Sequence, residues 1–282
     1  MRYFLTAFIS MGLLWSAAFG QEEKEPVYGW RHQSVANLNF TDNNFDNWEQ
    51  GGADSWSWQL EVPFKFVNIQ KGFEWSNSGK VAFGKTKVGD QRARKASDVI
   101  KFESLYTQKL GVYVNPYVAV SGQTQLAKGY KYTADTSRVI SGFMDPGYFT
   151  QSLGVGYSPR ENIRVRLGAA LKETITDQFP VPYADNPETE TVETFKFEYG
   201  ADTVTDVSLQ LRDNLLFTSK VSLFSNLQRF DEIDVDWDNT FTAKVSKYLI
   251  VSLNIQIFYD KDISRRRQLK QTLAVGFSYS LL

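Results

Sequence analysis

Cysteine is absent from the 282-residue chain, and histidine occurs once, as His32. The first absence excludes disulfides, thiolate metal sites and a lipid-modified N-terminal cysteine. The second leaves little material for Ser/His or Asp/His chemistry. Long apolar runs are also missing beyond the first twenty residues. No later segment therefore supplies the roughly 20 apolar residues of a membrane-spanning helix. Charge of one sign is lacking as well: 31 Lys and Arg stand against 32 Asp and Glu. That balance gives no global pull toward nucleic acid or an anionic surface.

The opening "MRYFLTAFISMGLLWSAAFGQEEKE" has a positive start at Arg2, a short apolar core and small residues at Ala18 and Gly20. It reads as a secretory signal peptide over residues 1–20, cleaved before Gln21. Removing Arg2 with it leaves 30 of the 31 basic residues against 32 acidic ones. A periplasmic segment over 21–29 and a barrel domain over 30–282 are expected to follow.

Aromatic residues are plentiful, at 15%, and they sit in a pattern of period two. In "QTLAVGFSYSLL", Leu273, Val275, Phe277, Tyr279 and Leu281 alternate with Thr272, Ala274, Gly276, Ser278 and Ser280. "SWSWQLEVPFKF", "NIRVRLGAALK" and "KYLIVSLNIQIF" alternate in the same way. Strict alternation marks a strand with two different environments. One such strand fits a soluble sandwich or a membrane barrel equally.

Counting gives twelve strands, near 30–42, 53–67, 72–85, 98–109, 112–126, 147–157, 163–172, 193–211, 216–225, 233–245, 248–258 and 269–281. Their connections decide between the two folds. "NIQK", "LG", "SPREN", "RDNL" and "SK" are short. "DNNFDNWEQGGA", "TKVGDQRARKAS", "AKGYKYTADTSRVISGFMDP", "ETITDQFPVPYADNPETETV", "NLQRFDEI" and "DKDISRRRQL" are long and polar. Short and long alternate throughout, as they do in an outer-membrane barrel with short periplasmic turns and long outer loops. The expected fold is all-β: an antiparallel transmembrane β-barrel of about 12 strands, both termini periplasmic.

"LNFTDNNFDNWEQGGADSWSW", "FMDPGYFTQSLGVGYSP", "KVSLFSNL" and "DVDW" resemble an uncharacterised outer-membrane β-barrel family of Bacteroidota, domain of unknown function 3078. The Asn47-Trp48…Gly51-Gly52 stretch is the most specific part. The resemblance implies a Gram-negative outer membrane and a barrel, and no particular activity.

"DEIDVDWDNTF" places Asp234, Asp236 and Asp238 at alternate positions. A calcium loop starting at Asp234 would need Gly at its sixth position and Glu at its twelfth. Asn239 and Val245 stand there. The acids therefore read as the polar face of a strand, turned to the barrel interior. If the hairpin 216–245 turns near Arg229, Lys220 lies opposite Asp238 and Asp236 opposite Ser222. The charge of Asp236 is then expected to stay free. The candidate lumen-facing residues are Lys101, Glu103, Arg164, Arg166, Lys220, Asp236 and Asp238, within a mixed set that includes Lys65, Lys80, Lys172, Glu61 and Glu74. Such a lumen either holds a water path or is closed by its own ion pairs.

The basic loop Lys85–Lys95 and the run Arg265–Arg267 read as solvated loops or as sites for lipopolysaccharide or an acidic ligand. Gly51 or Gly52 is expected at positive φ in a tight turn, with Trp48 as an interfacial anchor. His32 reads as a rim histidine. No catalytic residue, cofactor or metal is expected, although carboxylate-only chemistry has no sequence signature that excludes it. The function read from these residues is a passive channel or binding protein for a small polar solute. The alternatives are a scaffolding barrel within an outer-membrane complex and an outer-membrane enzyme acting on lipid or glycan. Expected partners are outer-membrane lipid and lipopolysaccharide, the barrel-assembly machinery, and a small polar solute or protein partner, with no nucleic acid.

Overall fold

The computed structural model describes residues 28–44, 52–133, 136–186, 189–227 and 233–281. The signal segment 1–20, most of 21–29, Trp48, Gly51 and Arg229 lie outside the described residues. The strands are β1 (Gly29–Asn43), β2 (Ser55–Ile69), β3 (Phe73–Val88), β4 (Arg94–Gln108), β5 (Val114–Thr124), β6 (Gly129–Tyr132), β7 (Ser137–Ser141) and β8 (Gly147–Arg160). They continue as β9 (Ile163–Ile175), β10 (Phe195–Arg212), β11 (Leu215–Asn226), β12 (Ile233–Lys244), β13 (Leu249–Tyr259) and β14 (Gln268–Ser280).

Twelve of them close a barrel in the order β1-β14-β13-β12-β11-β10-β9-β8-β5-β4-β3-β2, every pair antiparallel. Closure satisfies the backbone N–H and C=O groups within the sheet and leaves no edge strand, which is what a β-structure needs to stand in lipid. The remaining pair, β6 and β7, forms a separate hairpin in the β5–β8 connection. Sequence reading expected that stretch to be loop only. Its four- and five-residue strands are too short to carry a clear period.

The alternation becomes an inside and an outside. Leu273 is 72% exposed and Phe277 66%, whereas Gly276 between such neighbours is buried. Leu38, Phe40, Leu153, Leu167, Phe197 and Tyr199 are also exposed. An apolar girdle this continuous is stable only against lipid. The fold is thus an all-β, closed, twelve-stranded transmembrane barrel, with short turns at one rim and long loops at the other. Aromatic pairs lie at the short-turn rim, where Trp30 meets Trp75 at 5.8 Å and Phe73 stacks on Tyr106 at 5.5 Å.

One expectation about loops changes. β3 extends to Val88 and β4 starts at Arg94, so most of the basic stretch Lys85–Lys95 is strand, with a register shift after Gly84. Gly52 does hold a positive φ, at 154°. The barrel closes at a short seam, where Val35–Asn39 faces Gly276–Ser280.

Candidate functional site

The interior wall is where the charges gather. Lys101, Glu103 and Leu105 share one face of β4 because side chains on a strand repeat every two residues. Arg164, Arg166, Gly168, Ala170 and Lys172 form the corresponding face of β9. Asp234, Asp236 and Asp238 form that of β12. Ring closure brings these faces together. Lys101 donates to Asp236 Oδ2 at 2.9 Å. β4 and β12 stand six places apart in the ring of twelve, so this ion pair spans the full bore. Lys80 Nζ lies 3.5 Å from Asp238 Oδ2.

Lys80 and Lys101 face each other directly across the β3–β4 ladder. Like charges in that relation repel, and the two aspartates opposite offset the repulsion. Each aspartate is also held from behind. Gln256 Nε2 donates to Asp236 Oδ1 at 2.9 Å, and Asn254 Nδ2 to Asp238 Oδ1 at 2.5 Å. One oxygen of each acid is thus tied to β13, and the other points at a lysine from the far wall. The side chains of Lys101 and Asp236 remain 26% and 29% exposed, so solvent reaches the middle of the barrel.

The hairpin register is as the sequence reading had it: Lys220 faces Asp238 and Ser222 faces Asp236. The pairing differs. Lys220 donates instead to Glu103 Oε2 at 2.9 Å. Asp236 is not free, because it accepts from Lys101 and Gln256. The Lys220 stem reaches β4, five places round the ring, and a ring closed by distant strands offers partners that a hairpin cannot.

On the other side the interior is packed. Arg166 is 2% exposed and donates to both oxygens of Glu103, at 3.2 and 3.1 Å, with Asp206 at 3.6 Å. Its guanidinium lies 5.6 Å from the ring of Tyr117. Tyr117, from β5, extends over β8 and β9, and its hydroxyl donates to Asp202 on β10 at 3.3 Å. Small residues make room for it: a Cβ on Gly168 would stand 2.6 Å from the Tyr117 Oη and 2.5 Å from the Leu153 carbonyl oxygen.

Two further pairs extend the network. Arg164 donates to Glu74 at 2.7 Å near the short-turn rim. Toward the loop rim, Lys172 contacts Asp234 at 2.5 Å, Asp260 at 3.3 Å and Glu198 at 3.8 Å. All seven candidate residues therefore have an ionic or hydrogen-bond partner, and Lys220 and Asp238 each partner other residues rather than each other. Among the described residues no group of three His, Asp or Glu side chains has a metal-holding arrangement.

The loop rim carries residues that sequence reasoning missed. Asp98 accepts from the backbone N–H of Leu126 and Ala127 and from Lys95 Nζ. Asp145 accepts from the backbone N–H of Asp177, Gln178 and Phe179, which ties the β5–β8 connection to the β9–β10 connection. Between them lies a cavity of about 140 Å³ touched by Asp98, Gln123, Thr124 and Tyr183. Burial, with Asp145 nearby, holds the Tyr183 phenol above its ordinary pKa. No local pattern announces such side-chain-to-backbone clamps across distant loops. His32 lies between Trp30, at 5.8 Å, and Phe66, at 5.4 Å, on a mostly aromatic outer face.

A closed barrel with an apolar exterior and a charged interior defines the class, a transmembrane β-barrel. Residues 40–130 match the family described as protein of unknown function (DUF3078), which bears out the family resemblance over the stretch from β1 to β6. No curated protein matches the sequence. Among solved structures, the translocator domain of the autotransporter NalP from Neisseria meningitidis aligns at 11% identity and a TM-score of 0.42, covering 90% of this chain and 89% of that one. The COG4313 outer membrane channel from Pseudomonas putida F1 aligns at 11% identity and 0.40, over 94% and 100%. The NanC porin aligns at 7% and 0.39, over 87% and 98%.

Proposed function

We propose that the protein is an outer-membrane barrel that passes or binds small polar solutes in a narrow, wet, charge-crossed lumen. The observation that carries this reading is the Lys101–Asp236 pair: it crosses the whole bore, yet both side chains stay about a quarter exposed. A bore closed by packed apolar side chains would be a core. One crossed by hydrated ion pairs is a constriction that water and small solutes share. The apolar girdle sets the barrel in lipid, and the long loops are assigned to the outer side by their length.

Planar-bilayer recording tests the reading. The purified barrel should give a small conductance, and K101Q/D236N, which removes the crossing pair, should enlarge it. Silence from both, with folding verified by heat-modifiable gel migration, would overturn the conduit. A second reading, a scaffold that works through its loops, draws on the Asp98 and Asp145 clamps, which order the loop rim. It predicts a stoichiometric partner after purification from outer membranes in mild detergent.

A further inference from the structure

We infer that the constriction selects small zwitterionic solutes, those bearing one ammonium and one anionic group. The inference rests on the conduit reading above and names its solute class. Its basis is the separation of charge across one level of the bore. Two lysines, Lys80 and Lys101, face each other on the β3–β4 wall. Two aspartates, Asp236 and Asp238, lie two residues apart on β12, and each pairs with one lysine.

The two walls are not equally free to move. Each aspartate keeps one oxygen on a β13 amide, from Gln256 or Asn254, so the acidic wall is fixed without its lysines. Lysines hang on flexible four-carbon stems and form the part that swings away. When they do, Asp236 and Asp238 face the bore from β12, with Lys220 opposite Asp238 on β11, and Lys80 and Lys101 face it from β3 and β4, with Glu103 two residues along β4.

A passing solute must replace what it displaces. A simple cation satisfies Asp236 and leaves Lys101 displaced beside Lys80, which keeps Asp238. A simple anion does the reverse. A neutral solute satisfies neither. A zwitterion presents its ammonium to the free aspartate oxygen and its anionic end to the displaced lysine, so both halves of the broken pair stay neutralised during the crossing.

Swelling of proteoliposomes in four isosmotic solutes of nearly one size tests this: glycine, glycolamide, glycolate and glycinamide. For the wild-type barrel, glycine should enter faster than glycolamide by roughly two- to fivefold, the factor that corresponds to one partly exposed ion pair. In K80Q/K101Q/D236N/D238N that ratio should fall toward one. In K101D/D236K, which exchanges the charges and keeps a pair, it should persist. The wild-type comparison stands even if a variant fails to fold. Swelling in all four solutes without a lead for glycine overturns the selectivity and leaves the conduit intact. A glycine lead unchanged in the quadruple variant also overturns it, because the preference then arises elsewhere. No swelling in any solute, together with no conductance, overturns the conduit and the selectivity together.

Discussion

Arg166 and Lys101 each carry a positive charge into the barrel, yet the first is 2% exposed and the second 26%. The difference lies in what surrounds them. Arg166 sits on β9 beside Gly168 and Ala170, and the strands next to it on either side offer Gly154, Ser152 and Asp202. Small side chains there leave a shelf that Tyr117 fills, and one guanidinium nitrogen, Arg166 Nη2, donates to both oxygens of Glu103. Lys101 has no such shelf. Its partner lies on the opposite wall, and only a long stem bridges the gap. One side of the bore is therefore packed as a core and the other is a hydrated crossing. Twelve strands enclose more space than short side chains can fill, and this chain fills one side of it.

The contrast predicts different costs for substitutions on the two sides. The largest loss is expected for Arg166→Ala, which empties a packed site and leaves Glu103 with Lys220 as its remaining cation. Removing one partner of a buried pair costs roughly 3–5 kcal/mol, read as a shift in the denaturant midpoint of the barrel in micelles. A loss as small as that of Lys101→Gln would erase the distinction between the two sides.

Next comes a control on inside against outside. Phe277→Arg, facing lipid, should cost roughly 2–4 kcal/mol if it lies near mid-membrane, while Ser278→Arg should be milder. The reverse order, seen in folding yield into vesicles, would invert the assignment of the two faces.

Gly168→Val should cost roughly 1–3 kcal/mol by overpacking, because its Cβ would meet the Tyr117 hydroxyl and the Leu153 carbonyl. Adding Tyr117→Phe should recover part of that loss by removing the hydroxyl in the way. If it recovers none, the backbone contact dominates. The smallest effect, under about 1 kcal/mol, is expected for Lys101→Gln, as for a solvated ion pair. Its signature is in conductance and not in stability, and a stability loss near that of Arg166→Ala would show the crossing to be core.

Much of this was legible beforehand. Twelve strands, the parity of their connections and the rung that faces Lys220 with Asp238 all follow from period two and a turn position. What the sequence could not supply was the partner across the ring. Lys101 meets Asp236, 135 residues on, only because β4 and β12 end up opposite each other, and no local spacing encodes that. The β6–β7 hairpin and the Asp98 and Asp145 clamps stayed hidden for a related reason: each is a short-range geometry set by where a long connection lands. The acids of β12 share one face of that strand, and Asp236, expected to keep its charge free, contacts Lys101 and Gln256.

The seam between β1 and β14 has a consequence for how the barrel is made. It joins Val35 to Ser280, a pairing between the two ends of the chain, so its loop-closure entropy is the greatest in the sheet. Topology of that kind makes the seam a late event in folding. At its lower end Asn39 faces Gly276, and a Cβ on that glycine would lie 2.1 Å from the Asn39 side-chain oxygen. A two-residue slip would keep every lipid-facing side chain on its proper face, so hydrophobicity alone cannot reject it. It would, however, bring Ala274 or Ser278, each with a Cβ, to the place of Gly276, where a Cβ would stand 2.4 Å from the Leu38 carbonyl oxygen. The glycine thus acts as a notch in the closing strand, and the alignment that seats it against β1 is the one free of that clash.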